Sequence, residues 1–326
     1  MVFKISHFEK DLQDSESIVN ISIDKVGIIK VEKKVDIIQK NRKYSFYPSI
    51  SALISLPSKQ RGIHMSRTSE TIEEIINEVV FKPASGIEII ADRIVKKLFE
   101  RHKYTNMVEV KLEGKVVIPL KENSHRTIQK SYEVLTKVLG EKNEDQEIHY
   151  EYFIGAHAVS ATVCPCGKSM SKEYSEQVIR NRPDINIEEE DLQKILQILP
   201  LASHNQRSKG TIILQIRDPS ESTVDILDLI EIIEESMSGK IQSVLKRPEE
   251  AELIRTSHLN PLFSEDVIRN MARNFITKNF SELKDDYKID FKIESYESIH
   301  PYNVYSELNT TIGELRNSIK FRKPIK

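Results

Sequence analysis

Hydrophobic spacing along this chain switches between a repeat of two and a repeat near 3.6, and it does so twice in the same order. Apolar and polar residues alternate from Ile18 to Ile38 in two runs around Val26-Gly27, which spells strand, turn, strand. Tyr44 to Leu56 continues as an extended segment. Two amphipathic helices follow. Ile72, Ile75, Ile76, Val79 and Val80 share one face of the first, and Ile87, Ile90, Ala91, Ile94, Val95 and Leu98 share one face of the second. Pro83 and Gly86 separate them. Val108 to Leu120 returns to strand, with a break expected near Gly114, and His125 to Leu139 carries helical spacing. The polar stretch Lys142 to Gln146 marks a boundary, after which the order repeats. His149–Val163 and Thr211–Arg217 read as strands. Ile226, Leu227, Ile230 and Ile233 mark one helix, and Val267, Ile268, Met271, Ala272 and Phe275 mark another. Tyr287, Ile289, Phe291 and Ile293 alternate as a final strand. The halves share pattern and no evident identity. Antiparallel sheets with helices on one face, an α+β class, accommodate this order. A helical segment from Lys172 to Leu199, interrupted by Pro183, interrupts the second half. The glutamates at 188–190 open its second helix, where negative charge suits the helix dipole.

Charge narrows the range of partners. The 326 residues contain 48 Lys and Arg against 50 Asp and Glu, a net charge of -2, so there is no electrostatic footprint for nucleic acid. No apolar stretch is long enough to span a membrane. Met1-Val2-Phe3-Lys4 lacks the layout of a signal peptide. The only two cysteines are one residue apart, a poor spacing for a structural disulfide. The expectation is a soluble, cytoplasmic protein with reduced thiols. Abundant charge and isoleucine, with no tryptophan, fit a heat-adapted source without requiring one.

Those cysteines carry the chemistry. In Cys164-Pro165-Cys166-Gly167, proline holds Cys164 extended and glycine permits a turn towards a following helix. Thiols just ahead of helix N-termini are of the reactive, metal-ligating kind. The competing reading is two small hydrophobes buried in a turn. A lone Cys-Pro-Cys is no zinc finger, which needs two further ligands at known spacing. His204, His300, Glu249 and Glu250 are each ordinary when taken singly. Arg61-Gly62-Ile63-His64-Met65-Ser66-Arg67 gathers two arginines, a histidine and a serine ahead of a helix, an arrangement suited to phosphate. From spacing alone, a basic loop with a serine cap is the slightly favoured account.

Five segments in order carry a resemblance. Arg61-Gly62-Ile63-His64-Met65-Ser66-Arg67, Cys164-Pro165-Cys166, Ser203-His204-Asn205-Gln206-Arg207-Ser208, Lys246-Arg247-Pro248-Glu249-Glu250 and Glu297-Ser298-Ile299-His300 resemble the type IB GTP cyclohydrolases and their archaeal, type IV relatives of the methanopterin pathway. The resemblance implies a tunnelling fold with two modules, 1–143 and 144–326, the second carrying the insertion 172–199. It implies a homodimer or homotetramer with active sites at subunit interfaces, and GTP as substrate. It also implies one divalent metal per subunit, Fe(II) first and Zn(II) or Mn(II) next. Cys164, His204, Glu250 and His300 match metal positions. Cys164, His204 and Cys166 fall at the catalytic centre. Glu265 matches the carboxylate that anchors the guanine edge, and Arg61, His64, Arg67, Lys168, Arg207 and Glu297 complete the substrate set. Bacterial members run almost directly from Cys-Pro-Cys to the His-Asn-Gln-Arg loop, so the insertion looks archaeal. It implies 7,8-dihydroneopterin 2′,3′-cyclic phosphate as product. Dihydroneopterin triphosphate, a nitrile reductase acting on a deazapurine, and a binding protein with a structural metal are the alternatives.

Overall fold

A computed structural model describes residues 12–39, 42–122, 126–222, 224–278, 280 and 283–320. The strands are β1 (Ile23–Glu32), β2 (Val35–Gln39), β3 (Arg42–Leu56), β4 (Met107–Glu122), β5 (Arg126–Lys142), β6 (Ile148–Val163), β7 (Asn205–Ile216), β8 (Lys288–Ser295) and β9 (Val304–Thr311). The helices are α1 (Met65–Phe81), α2 (Ile87–Arg101), α3 (Pro165–Arg180), α4 (Glu189–Ile198), α5 (Ile226–Glu235), α6 (Arg247–Leu259), α7 (Ser264–Thr277) and α8 (Ile312–Lys320). The strands form a large antiparallel sheet in the order β1-β3-β4-β5-β6-β7-β8-β9, with β2 also on β3. The chain divides into two compact units. One comprises Met1–Ile118, Glu133–Ile154 and Gln215–Ser222, and the other Pro119–Tyr132, Gly155–Leu214 and Thr223–Lys326.

In the first unit, β3 buries Tyr44, Phe46, Ile50, Ala52, Ile54 and Leu56 in strict alternation, and β4 answers with Val108, Val110, Leu112, Val116 and Ile118. The stripes of α1 and α2 are buried as their spacing predicts. Val80 is the exception, 62% exposed where the helix ends. The expected strand starting at Ile18 begins instead at Ile23, where pairing with Leu56 of β3 starts. Gly27 is no turn. It pairs with Leu53 inside β1, and the break falls at Lys33-Lys34. Gly114 does not interrupt β4 either. It faces Pro48 across the ladder, and a Cβ there would lie 2.0 Å from the Tyr47 carbonyl oxygen, so the glycine permits a close approach of two backbones.

Residues 126–139, expected as helix, are strand β5. Tyr132, Val134, Thr136 and Val138 are buried at a period of two, and β-branched side chains suit that pleat. His125 lies outside the described residues.

In the second unit, Ile212, Leu214, Ile289, Phe291 and Ile293 line the core. Helix α7 covers β8 and β9 with Val267, Met271 and Phe275, and Phe275 meets Phe291 edge-on at 6.2 Å. Strand β8 is not the last. Strand β9 has no fully buried residue, so no apolar alternation announced it. No helix among the described residues is long and apolar enough to cross a membrane.

Candidate active site

The Cys-Pro-Cys segment starts helix α3 directly, ahead of the helical segment expected from Lys172. Cys164 is its N-cap, with extended backbone (φ -72°, ψ 122°), and Pro165 stands in the first turn, where a missing N–H costs nothing. Cys164 is half-buried and Cys166 exposed. The end of β6 is thereby joined to the start of β7. Cys164 N–H donates to the His204 carbonyl at 3.1 Å, and Ser203 Oγ donates to the Cys164 carbonyl at 2.6 Å. Gly167 keeps this junction open, because a Cβ there would stand 2.5 Å from Ser203 Oγ.

Around the junction is a cavity of about 260 Å³. Cys164, His204, Gln206, Glu265, Ser295, Glu297, His300 and Tyr302 line it, with Pro165, Leu262, Phe263 and Val304 as the apolar wall. It lies below the roughly 300–1,000 Å³ of sites that engulf drug-sized ligands, so its size suits a base more than a whole nucleotide. Leu262 N–H donates to Val163 O at 3.0 Å, which fixes the wall beside the cysteine. His204 Nδ1 lies 3.1 Å from Gln206 Oε1 and 3.7 Å from Glu297 Oε2. Gln206 Nε2 donates to Glu297 Oε1 at 3.0 Å and to Ser295 Oγ at 3.3 Å. Behind them Ser295, Ser208 and Thr162 form a buried hydroxyl chain with links of 2.7 and 2.6 Å. At the rim, the rings of His300 and Tyr302 stack at 5.0 Å. Glu265 sits exposed in the first turn of α7 and accepts from Ser264 Oγ at 3.0 Å.

Five of the anticipated residues, Cys164, His204, Glu265, Glu297 and His300, therefore share one cavity. Glu250 does not line it. It is exposed in the first turn of α6, where Glu249 accepts from Lys246 N–H at 2.8 Å. Cys166, Lys168 and Arg207 also stand outside the lining; Arg207 faces a neighbouring cavity with Ser257 and His258. Arg61, His64 and Arg67 belong to the first unit. There His64, not a serine, is the N-cap position of α1 and makes no side-chain cap bond. His64 is buried and pairs with Asp14 at 3.0 Å, a hydrogen bond that holds the Asp14 carboxyl below its usual range. Arg61 is exposed and Arg67 half-buried.

Among the described residues, no three His, Cys, Asp or Glu side chains gather closely enough to hold a metal within one chain. The donor types do fit such an ion. Thiol, imidazole and carboxylate around one cavity are a mixed set suited to Fe(II) or Zn(II) rather than Mg(II). Ser203, Gln206 and Ser295 were given no role by sequence. Ser203 and Gln206 stand inside the Ser203-His204-Asn205-Gln206-Arg207-Ser208 motif, and nothing in the sequence singles out Ser295.

Residues 10–306 match the family described as type I GTP cyclohydrolase folE2. GTP cyclohydrolase MptA of Methanococcus aeolicus is 36% identical over 314 residues, covering 95% of this chain and 99% of that protein. GTP cyclohydrolase MptA of Methanocaldococcus jannaschii is 36% identical over 311 residues, covering 95% and 97%. Among solved structures, urate oxidase from Bacillus sp. TB-90 aligns with a TM-score of 0.52 at 10% identity, over 89% of this chain and 100% of that one. At such identity the likeness concerns the fold alone. With a family match across nearly its whole length, and relatives more than one-third identical over 95% of it, the chain belongs to the type I GTP cyclohydrolase family.

Proposed function

We propose that this protein is a GTP cyclohydrolase of the MptA kind, which opens the guanine imidazole ring at C8 and releases formate. The carrying observation is the coincidence of full-length similarity to MptA proteins with a base-sized cavity holding Cys164, His204, Glu265, Glu297 and His300. The product is 7,8-dihydroneopterin 2′,3′-cyclic phosphate, with formate and pyrophosphate released, as the first step of a tetrahydromethanopterin-type pathway. The archaeal-type insertion 172–199, which holds the latter part of α3 and all of α4, supports this choice over the triphosphate.

Each lining residue has a task. The Glu265 carboxylate accepts from guanine N1–H and the 2-amino group, which orients the purine. Phe263 and the other apolar wall residues exclude water from its faces. His204 or His300, whichever is not held by the ion, takes and returns protons at the ring being opened. Cys164 and His204 hold a divalent ion, Fe(II) first and Zn(II) or Mn(II) next, with His300 and Glu250 as further ligands. Such an ion would supply Lewis acidity, lowering the pKa of bound water towards neutrality. Arg61, His64, Arg67, Lys168 and Arg207 serve the phosphates, and Cys166 is a proton carrier beside Cys164. A ribose hydroxyl displaces pyrophosphate from the α-phosphate to close the cyclic ester.

The type IB and type IV labels, a tunnelling fold with modules 1–143 and 144–326, a homodimer or homotetramer with interface sites, and a cytoplasmic location belong to the same proposal. Ligands drawn from a second subunit would account for the lack of a three-donor cluster among the described residues of one chain. The test is anaerobic incubation of the protein with GTP and Fe(II), followed by identification of products by mass. Formate, pyrophosphate and the cyclic phosphate are expected, and Cys164→Ala should release no formate while remaining folded. A folded Cys164→Ala with full activity would refute the assignment of the thiol. Dihydroneopterin triphosphate without pyrophosphate would replace the product.

A further inference from the structure

Gln206 stands between a carboxylate and an imidazole, and its two ends are chemically different. A carboxylate offers only acceptors, so the amide group 3.0 Å from Glu297 is the NH2 end. The second amide hydrogen reaches Ser295 Oγ at 3.3 Å, and Ser295 is held by the buried Ser208 and Thr162 hydroxyls. The carbonyl end therefore faces His204. Oε1 cannot donate, so at 3.1 Å it requires a proton on His204 Nδ1. Glu297 lies too far from that nitrogen, at 3.7 Å, to take the bond itself.

We propose that Gln206 is a positioning residue that fixes His204 in its Nδ1–H tautomer, leaving the Nε2 lone pair available for a proton or a metal ion. Glu297 and the hydroxyl chain act one step further out, by orienting the amide. Glu297 and His204 are only 8% and 16% exposed at their side chains, so water does not readily replace these bonds. The consequence for activity rests on the GTP cyclohydrolase reading; the tautomer does not.

The test is nitrogen NMR of the full-length protein labelled with 15N-histidine, before any metal is added, with His204→Gln to assign the signal. The wild type should carry its proton on Nδ1. Gln206→Leu should shift the proton towards Nε2 and, with metal and GTP, lower formate release about 10- to 100-fold, mainly through kcat. Gln206→Glu keeps an acceptor at the imidazole, so it should keep the Nδ1–H form that Gln206→Leu loses. A wild-type proton on Nε2 overturns the proposal. So does a folded Gln206→Leu with an unchanged tautomer, or a folded Gln206→Glu whose proton has moved to Nε2. If the tautomers behave as stated while the wild type releases no formate from GTP, the positioning role stands and the proposed activity falls.

Discussion

Cys164 is set by two neighbours rather than by its own side chain. Its amide and carbonyl are both bonded to the 203–204 segment, so the thiol is delivered to the cavity wall by backbone geometry. Glu265 is the opposite case: an exposed carboxylate at a helix start, accepting from the neighbouring Ser264 hydroxyl. Because it supports little structure, its loss should be visible in binding. Glu265→Ala is expected to keep the wild-type melting temperature and to raise KM for GTP roughly 10- to 100-fold, the worth of one or two charge-assisted hydrogen bonds. Unchanged KM in steady-state assays would remove it from guanine recognition. The motif around Cys164 and His204 was legible from residue types. Gln206 was not, because an amide announces no function until its two ends are seen against an acceptor and a donor.

At the scale of elements, the amphipathic helices were legible and the glycine-bearing strands were not. Isoleucine and valine at helical spacing leave one face to bury, which α1 and α2 do. A glycine in an alternating run reads as a break, yet Gly27 and Gly114 lie within continuous strands. At Gly114 the partner strand comes so close that any side chain strikes backbone, which cannot rotate away. Gly114→Ala is therefore expected to destabilise the protein by about 1–3 kcal/mol in denaturant unfolding. A neutral effect would show that β3 and β4 can separate there at no cost. Strand β5 mimics a helix in sequence because three- and four-residue spacings occur by chance within a period-two run, and only burial on the sheet separates the two.

For the molecule as a whole, acid sensitivity follows from a buried histidine in the first unit. His102 is fully buried, between Thr68 Oγ1 at Nε2 (3.1 Å) and the Tyr104 hydroxyl at Nδ1 (2.9 Å). Burial, with the positive charges of Arg67, His64 and Arg101 nearby, pushes its pKa down to about 4. The folded state thus binds the proton less readily than the unfolded chain, whose histidine titrates near 6.5. Stability from this residue is fully present above pH 6.5 and is lost as the pH falls from 6.5 towards 4. His102→Gln should flatten that part of the stability profile in unfolding measurements at stepped pH. An identical slope would assign the acid loss to other groups.

Local chemistry was enough to mark the period-3.6 faces of α1 and α2, the alternation of β3 and β8, and a proline-bearing turn that starts a helix at a thiol. Such preferences depend on neighbours a few residues away, which the chain itself supplies. Proximity between distant stretches is another matter. Strand register and helix docking bring residues 164, 204, 265, 297 and 300 to one cavity and leave Glu250 outside it. They also set a glutamine between a glutamate and a histidine so that each hydrogen bond has one direction. Those outcomes are sums over the packing of a whole unit, and no run of residues encodes them alone.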